Sequence, residues 1–338
     1  MRTARSFTRS PSNAVRRVIR TAASSTSSGT QVTSLLTQFK LDPFRWYVRY
    51  APGTLGKAGI VDGFLNSELR DHPRVRRART RFGATFVTDT QDLIQRYIYL
   101  FGVWEPHLTR WLERRLRPGD VFVDVGANIG YYSLLASRLV GEKGAVVALE
   151  ASPDFHRVLL KQAAINECGN VRAVNTAISD RDEVLTFVLA SSHNMGANSI
   201  VPYAGEPEST FEVAAQPLSD VLSSGEIARA RVIKVDVEGA EGAVVRGLVP
   251  LLDQLRPDAE LAIEVTPQRM LELGDSADEL LGALRANGFH MYRLQNDYAA
   301  GRYPAALRRA SEVPIRWREP ITDESELLFS RVDAEYLT

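Results

Sequence analysis

A short apolar run, Val121-Phe122-Val123, leads into Asp124-Val125-Gly126-Ala127-Asn128-Ile129-Gly130 and then into Tyr131-Tyr132-Ser133-Leu134-Leu135-Ala136. The pattern is that of a buried strand that ends in an acid and turns through two glycines into a helix. Glycines at such a turn accept backbone angles that other residues avoid, and they let a ligand approach the main chain. The helix start offers unpaired N–H groups to an anion, and the strand-end acid can meet a cation. S-adenosylmethionine carries an amino acid's carboxylate and ammonium beside a nucleoside, and so suits both. A dinucleotide fold would show G-x-G-x-x-G. Here Asn128 stands in the second glycine's place and Tyr131 in the third's, so a pyrophosphate fits less well.

The next apolar run, Ala145-Val146-Val147-Ala148-Leu149, ends at Glu150, 20 residues beyond Gly130. An acid there can take both hydroxyls of a ribose. Dinucleotide folds share this rule, so Glu150 indicates a nucleoside without choosing the cofactor.

Strand-like and helix-like patterns alternate from there to the end of the chain. Strands are expected at 120–125, 145–150, 171–174, 231–236, 260–265, 289–294 and 326–331, with helices near 130–140, 153–166, 240–248 and 276–287. Ser152 is placed as an N-cap with Pro153 at the first helical position. Val184–Leu189 and Thr210–Ala214 read as a hairpin pair. Such repeated units give an α/β fold, a doubly wound, mostly parallel sheet with helices on both faces. Ligands then bind beyond the carboxyl ends of the strands. Asp124, Glu150, Asp236 and Glu264 all map to that edge.

Upstream the reading is coarser. Residues 1–40 carry seven basic side chains and no acid, which leaves 34 basic against 41 acidic residues in the remainder. Residues 1–33 lack apolar content and are expected to be a disordered basic tail. They contain no apolar stretch of signal-peptide length, so the cytoplasm is the expected location. Residues 34–118 form a lead-in expected to pack on the core, and 119–338 form the main domain. The arginine-rich stretch Arg70 to Arg81 suggests a solvated helix face. No apolar run reaches membrane-span length. The lone Cys168 rules out an internal disulfide. Zero net charge gives no reason to expect nucleic acid, and the sequence leaves oligomerisation open.

The second strong signal is Lys234-Val235-Asp236-Val237-Glu238-Gly239-Ala240-Glu241. A strand ending Asp-x-Glu-Gly brings several carboxylates to one place, and Glu264 joins them from the next strand. Carboxylates this close raise one another's pKa, and a sulfonium nearby would relieve the repulsion. One of them could act as general base. Glu241 reads better as part of the following helix start. Among the histidines, His193 stands out, in a polar, glycine-bearing loop between predicted strands. Asp236, Glu238 and Glu264 suit a hard cation, but spacing alone assigns no metal.

The run from Gly119 to Ser133, taken with Ile233 to Glu241, resembles the FkbM family of S-adenosylmethionine-dependent methyltransferases. Gly102-Val-Trp-Glu105-Pro106, the segment Asn175 to Asp180 and Gly196-Ala-Asn-Ser199 extend the resemblance to roughly residues 82–331. It implies a class I methyltransferase (Rossmann-like) sheet of seven strands with the last antiparallel, preceded by an N-terminal extension. It also implies O-methylation of a sugar or polyketide-type hydroxyl, on a small molecule or glycan. By that resemblance Asp124, Gly126, Asn128 and Gly130 line the methionine part of the cofactor, and Glu150 holds the ribose. Ala177, Ile178 and Ser179 approach the adenine, and Asp236 faces the sulfonium and the acceptor. Catalytic candidates are Asp236, Glu238, Glu264 and His193. The competing readings are a non-catalytic binding module and an NAD-dependent oxidoreductase, the latter disfavoured by the broken glycine fingerprint.

Overall fold

The computed structural model describes residues 41–189, 198–199, 209–309 and 312–338. The basic segment 1–33 and His193 lie outside them. Residues 41–50 are helical, and helical turns follow through Lys57–Ile60, the π-helical Val61–Leu65 and Asn66–Asp71. Strands β1 (Val75–Arg79) and β2 (Thr85–Asp89) pair antiparallel. The middle of the arginine-rich stretch, Val75–Arg79, is therefore strand, not a solvated helix face. Gly83, at φ 90°, turns the chain back, and β2 gives β1 a hydrogen-bonded partner that a lone charged helix would lack. Helices α1 (Leu93–Phe101) and α2 (Pro106–Arg115) complete the lead-in.

The core follows as β3 (Val121–Val125), α3 (Tyr131–Val140), β4 (Ala145–Leu149), α4 (Pro153–Ile165) and β5 (Val171–Val174). Ser152 caps α4 as expected, its hydroxyl accepting from the Phe155 amide. Four strands form a separate sheet: β6 (Ala177–Ile178), β7 (Glu183–Leu189), β8 (Asn198–Ser199) and β9 (Ser209–Gln216). The expected hairpin partners, β7 and β9, pair antiparallel from Glu183↔Ala215 to Leu189↔Ser209. The main sheet resumes with β10 (Ala230–Val235), α5 (Glu241–Leu248), β11 (Glu260–Val265), α6 (Pro267–Glu272), α7 (Ala277–Ala286), β12 (His290–Leu294), β13 (Ile315–Arg316) and β14 (Ser325–Ser330).

Its strand order is β13-β12-β14-β11-β10-β3-β4-β5. The strands β5, β4, β3, β10 and β11 run parallel, and β14 inserts antiparallel between β11 and β12. The antiparallel last strand matches the expectation. The count is eight rather than seven because the two-residue β13 adds an edge beside β12.

Alternate residues of each strand feed two apolar layers, as the pleat requires. Val121, Val123 and Val125 pack under α5 and α7 with Ile233, Leu261 and Phe329. Phe122 faces the other way with Val146, Val232, Ala262 and Leu328. That second layer is covered by α3 and by the lead-in, including Leu41, Val61 and Leu65. The same face, one step nearer the carboxyl edge, carries Asp124 and Lys234, neighbours in register on β3 and β10. Beyond them lie Glu264 and Glu326, directly opposed on β11 and β14. No helix of the described residues is long and apolar enough to cross a membrane.

Candidate active site

A cleft opens at the carboxyl edge of the central strands β4, β3 and β10. Its floor is the turn after β3. Gly126 adopts φ 82° there and Asn128 φ 51°. Asn128 tolerates this left-handed angle because its own Oδ1 accepts the Ile129 amide at 2.7 Å. The Asn128 amide donates to Glu150 Oε2 at 2.7 Å, and the Ser152 amide donates to Glu150 Oε1 at 2.8 Å. Each carboxylate oxygen so held keeps acceptor capacity. The pair can take two adjacent hydroxyls. Burial pushes the Glu150 carboxyl up to about 7, against the pull of those two amides.

Beside Glu150 runs an apolar wall of Phe155, Ala177, Ile178, Leu185 and Phe187. Ala177 and Ile178 form β6, held by parallel pairing to β9, and Phe187 stacks on Phe211 with ring centres 5.2 Å apart. A flat heterocycle fits such a wall. The opposite end of the cleft is acidic, with Asp236, Glu238, Glu264 and Glu105. The combination of a hydroxyl-accepting carboxylate, an apolar slot and an anionic far end fits an adenosine bearing a sulfonium.

Asp236 follows β10, and its Oδ2 accepts from Lys234 Nζ at 2.8 Å. Burial works to raise its pKa, but the Lys234 ammonium and a hydrogen bond from Glu264 outweigh it, so Asp236 is held below the usual carboxylate range. Glu264 behaves oppositely. Burial, with Asp236, Glu105 and Glu326 around it, holds it well above that range. Its Oε1 accepts from the Tyr298 hydroxyl at 2.9 Å. Glu238 sits at φ 58° and is ion-paired with Arg269. Glu241 stands behind the cleft and braces the turn, accepting the Gly239 amide at 2.9 Å. This is the helix-start role expected of it.

Three residues expected at the cofactor stand back from the cleft wall. Asp124 is 1% exposed, accepts the Ser133 hydroxyl at 2.5 Å, and has no partner for Oδ1. Asp124 lies within β3, and its side chain is on the sheet face beside Lys234. Gly130 caps α3 at φ 87°, and a Cβ there would meet Leu159 Cγ at 3.0 Å, so it serves helix packing. Ser179 is buried and donates to Glu183 at 2.6 Å. Gly126, Asn128, Glu150, Ala177, Ile178, Asp236, Glu238 and Glu264 do line the cleft.

The sequence reading missed Lys234, Glu105, Tyr298 and Glu326 as site residues. Lys234 is 3% exposed and 5.1 Å from the Tyr132 ring centre. Burial works against its charge, but Asp236, Asp124, Glu326 and Glu105 outweigh that and raise its pKa. Glu105 caps α2 at φ 40°, accepting from Tyr298 at 2.7 Å, from Asn296 at 2.8 Å and from Tyr132. A lysine and an acid inside apolar strands, and an acid just before a helix-opening proline, were the available signals.

The fold and cleft define an S-adenosylmethionine-dependent methyltransferase of the Rossmann-like class, and comparison with known proteins agrees. Residues 124–291 match the methyltransferase FkbM domain. Hexuronic acid methyltransferase AglP of Haloferax volcanii is 28% identical over 221 residues, covering 64% of this chain and 87% of its own length. The 31-O-demethyl-FK506 methyltransferase FkbM of Streptomyces tacrolimicus is 27% identical over 226 residues, covering 58% and 83%. A solved methyltransferase FkbM from Methylobacillus flagellatus is 15% identical, with TM-score 0.35 over 70% of this chain and 52% of that one. Residues 124–291 thus form a methyltransferase FkbM domain.

Proposed function

We propose that the protein methylates a hydroxyl oxygen of a small molecule or glycan, an acceptor of the sugar or polyketide type. The observation that carries this is Asp236, an ionised carboxylate kept charged by Lys234 at the mouth of a nucleoside-sized cleft. The name of one relative, the 31-O-demethyl-FK506 methyltransferase, points to an oxygen of a polyketide-type acceptor, and that of the other to a sugar acid as acceptor.

When bound, S-adenosylmethionine supplies a methyl group activated by its sulfonium. The chain's residues then have distinct tasks. Glu150 accepts the ribose hydroxyls, while Ala177 and Ile178 border the adenine. The backbone of Gly126 and Asn128 lies under the methionine part, and Asp124 holds Ser133 and the β3 turn in place from behind. Asp236 accepts the hydrogen bond of the acceptor hydroxyl and aims its lone pair at the methyl carbon. Alignment of this kind can supply most of the acceleration. Asp236 also takes the proton as the oxygen loses it, with Glu264 and Glu238 framing the same opening. Residues 119–338 carry all of these groups.

The test is incubation with methyl-labelled S-adenosylmethionine and a panel of glycosides, uronic acids and macrocyclic diols. Label in an alkali-stable ether on the acceptor is the expected product. Label found instead on nitrogen, or as an alkali-labile ester, would overturn the hydroxyl assignment.

A further inference from the structure

Behind the acidic end of the cleft lies a second cavity of about 680 Å³, and the two share Glu264 and Tyr298 in their walls. At their junction three carboxylates converge from separate elements. Glu105 comes from the start of α2, Glu264 from the end of β11, and Glu326 from β14 directly across from Glu264. One oxygen from each lies within 4.8 Å of the others. Oxygens around one hard divalent cation stand roughly 3 Å apart when adjacent and 4–5 Å apart when opposite, given usual metal–oxygen lengths. The three carboxylates therefore meet the spacing for a single ion.

A second observation is independent of that spacing. Glu326 is 5% exposed, and its Oε1 has no hydrogen-bond partner. A buried carboxylate oxygen without a partner is costly, and a bound ion is one of the few things that explains it. The neighbours of the cluster suit the same ligand. Tyr298 donates to Glu105 at 2.7 Å and contacts Glu264 at 2.9 Å, and Asn296 donates to Glu105 at 2.8 Å. Metal ligands are oriented by outer hydrogen bonds of this kind. Lys234, the cation packed among these acids, is already engaged by Asp236 at 2.8 Å.

We propose that Glu105, Glu264 and Glu326 bind one hard divalent cation of the magnesium or manganese type. Glu264 and Glu326 also line the second cavity, through which a ligand could reach the ion. An acceptor hydroxyl bound to the ion on the cleft side, where Glu264 and Asp236 both line the wall, would be made more acidic. That last role rests on the methyl-transfer reading; binding of the ion does not.

The experiment uses the full chain, stripped with chelator, dialysed and titrated with manganese(II), with free ion read from its electron paramagnetic resonance signal. The expected result is one ion bound per chain, displaced by excess magnesium. Glu326→Gln and Glu264→Gln should each weaken binding by about tenfold or more, while circular dichroism and the urea unfolding midpoint, measured on the same samples, confirm that each variant is folded. No uptake by the wild-type chain up to about 2 mM manganese, beyond the usual range for dedicated sites, overturns the proposal without reference to any variant. So does uptake that both folded variants retain undiminished. Ion binding without any methyl transfer would count against the proposed function alone. Methyl transfer by a chelated, ion-free chain would overturn the ion's role in the reaction and leave its binding to the titration.

Discussion

Replacing Gly126 with alanine should damage the fold and the site together, and the structure sets the size of both effects. Gly126 adopts φ 82° with its Cα turned toward the loop after β10. A methyl group there would lie 1.8 Å from the carbonyl oxygen of Asp236 and 2.8 Å from its carbonyl carbon. Ordinary contact needs well over 3 Å, so the Asp236 peptide must withdraw by roughly 1.5 Å. That peptide is tied to β3 by the Asp236 amide, which donates to the Val125 carbonyl at 3.0 Å. The left-handed angle costs about 1–2 kcal/mol for a residue with a Cβ, and the strained buried hydrogen bond about 1 kcal/mol more. We expect about 3 kcal/mol of lost stability in urea unfolding. Because a displacement near 1 Å can cost about a hundredfold in rate, turnover should fall by that order, and S-adenosylhomocysteine should bind more weakly by calorimetry. Gly288→Ala is the control. Gly288 has φ 79° but nothing within 4 Å of the added methyl, so only the backbone cost of about 1–2 kcal/mol applies. If Gly126→Ala is no less stable than Gly288→Ala and keeps wild-type affinity, the close approach of these two loops does not matter as argued.

Glu150→Gln should weaken S-adenosylmethionine and its demethylated product equally, by about 1.5–3 kcal/mol, the usual worth of a hydrogen bond to a charged group; a turnover defect with intact affinity would move Glu150 into the chemistry. Because the folded Glu150 titrates near pH 7, cofactor affinity should rise from pH 6 to pH 8 as the carboxylate ionises, and a flat profile in wild type would count against its role. In the ligand-free chain the sign for stability is opposite. The folded pKa lies above the ordinary value of 4.5, so the folded state keeps its proton longer and this group costs stability as pH rises from about 4.5 to about 7. Lys234→Met should destabilise the protein by about 3–5 kcal/mol at pH 8, because Asp236 and Asp124 lose their buried counter-charge. The deficit should shrink at pH 5 as those acids protonate, and a variant as stable as wild type at pH 8 would contradict the charge arrangement described.

The central sheet was readable because parallel strands buried on both faces appear as short continuous apolar runs. The strand expected at 260–265 is Glu260–Val265, and that expected at 145–150 is Ala145–Leu149. Helix α1 was not seen, since seven of its nine residues, including Gln95 and Arg96, are buried and the stretch shows little polar face. At the site, Glu150, Asp236 and Glu264 were found because an acid closing an apolar run has few other places to point. Asp124 was expected at the cofactor, but its side chain lies on the sheet face beside Lys234, and the face is decided by strand pairing. Lys234 and Glu326 sit within strands, where a sequence pattern treats a charge as the solvent face. Only the pairing of β3 with β10 and of β11 with β14 reveals that these charges face one another. Glu105 depends on a φ of 40° and on contacts to Tyr298 and Asn296, about 190 residues away, which no local pattern encodes.

The most direct test of the account is a crystal structure of the protein with S-adenosylhomocysteine bound. The account predicts both ribose hydroxyls within about 3 Å of the Glu150 carboxylate, the adenine against Ala177 and Ile178, and the sulfur at the end of the cleft nearest Asp236. A ribose held away from Glu150, or a sulfur turned away from Asp236, would contradict it.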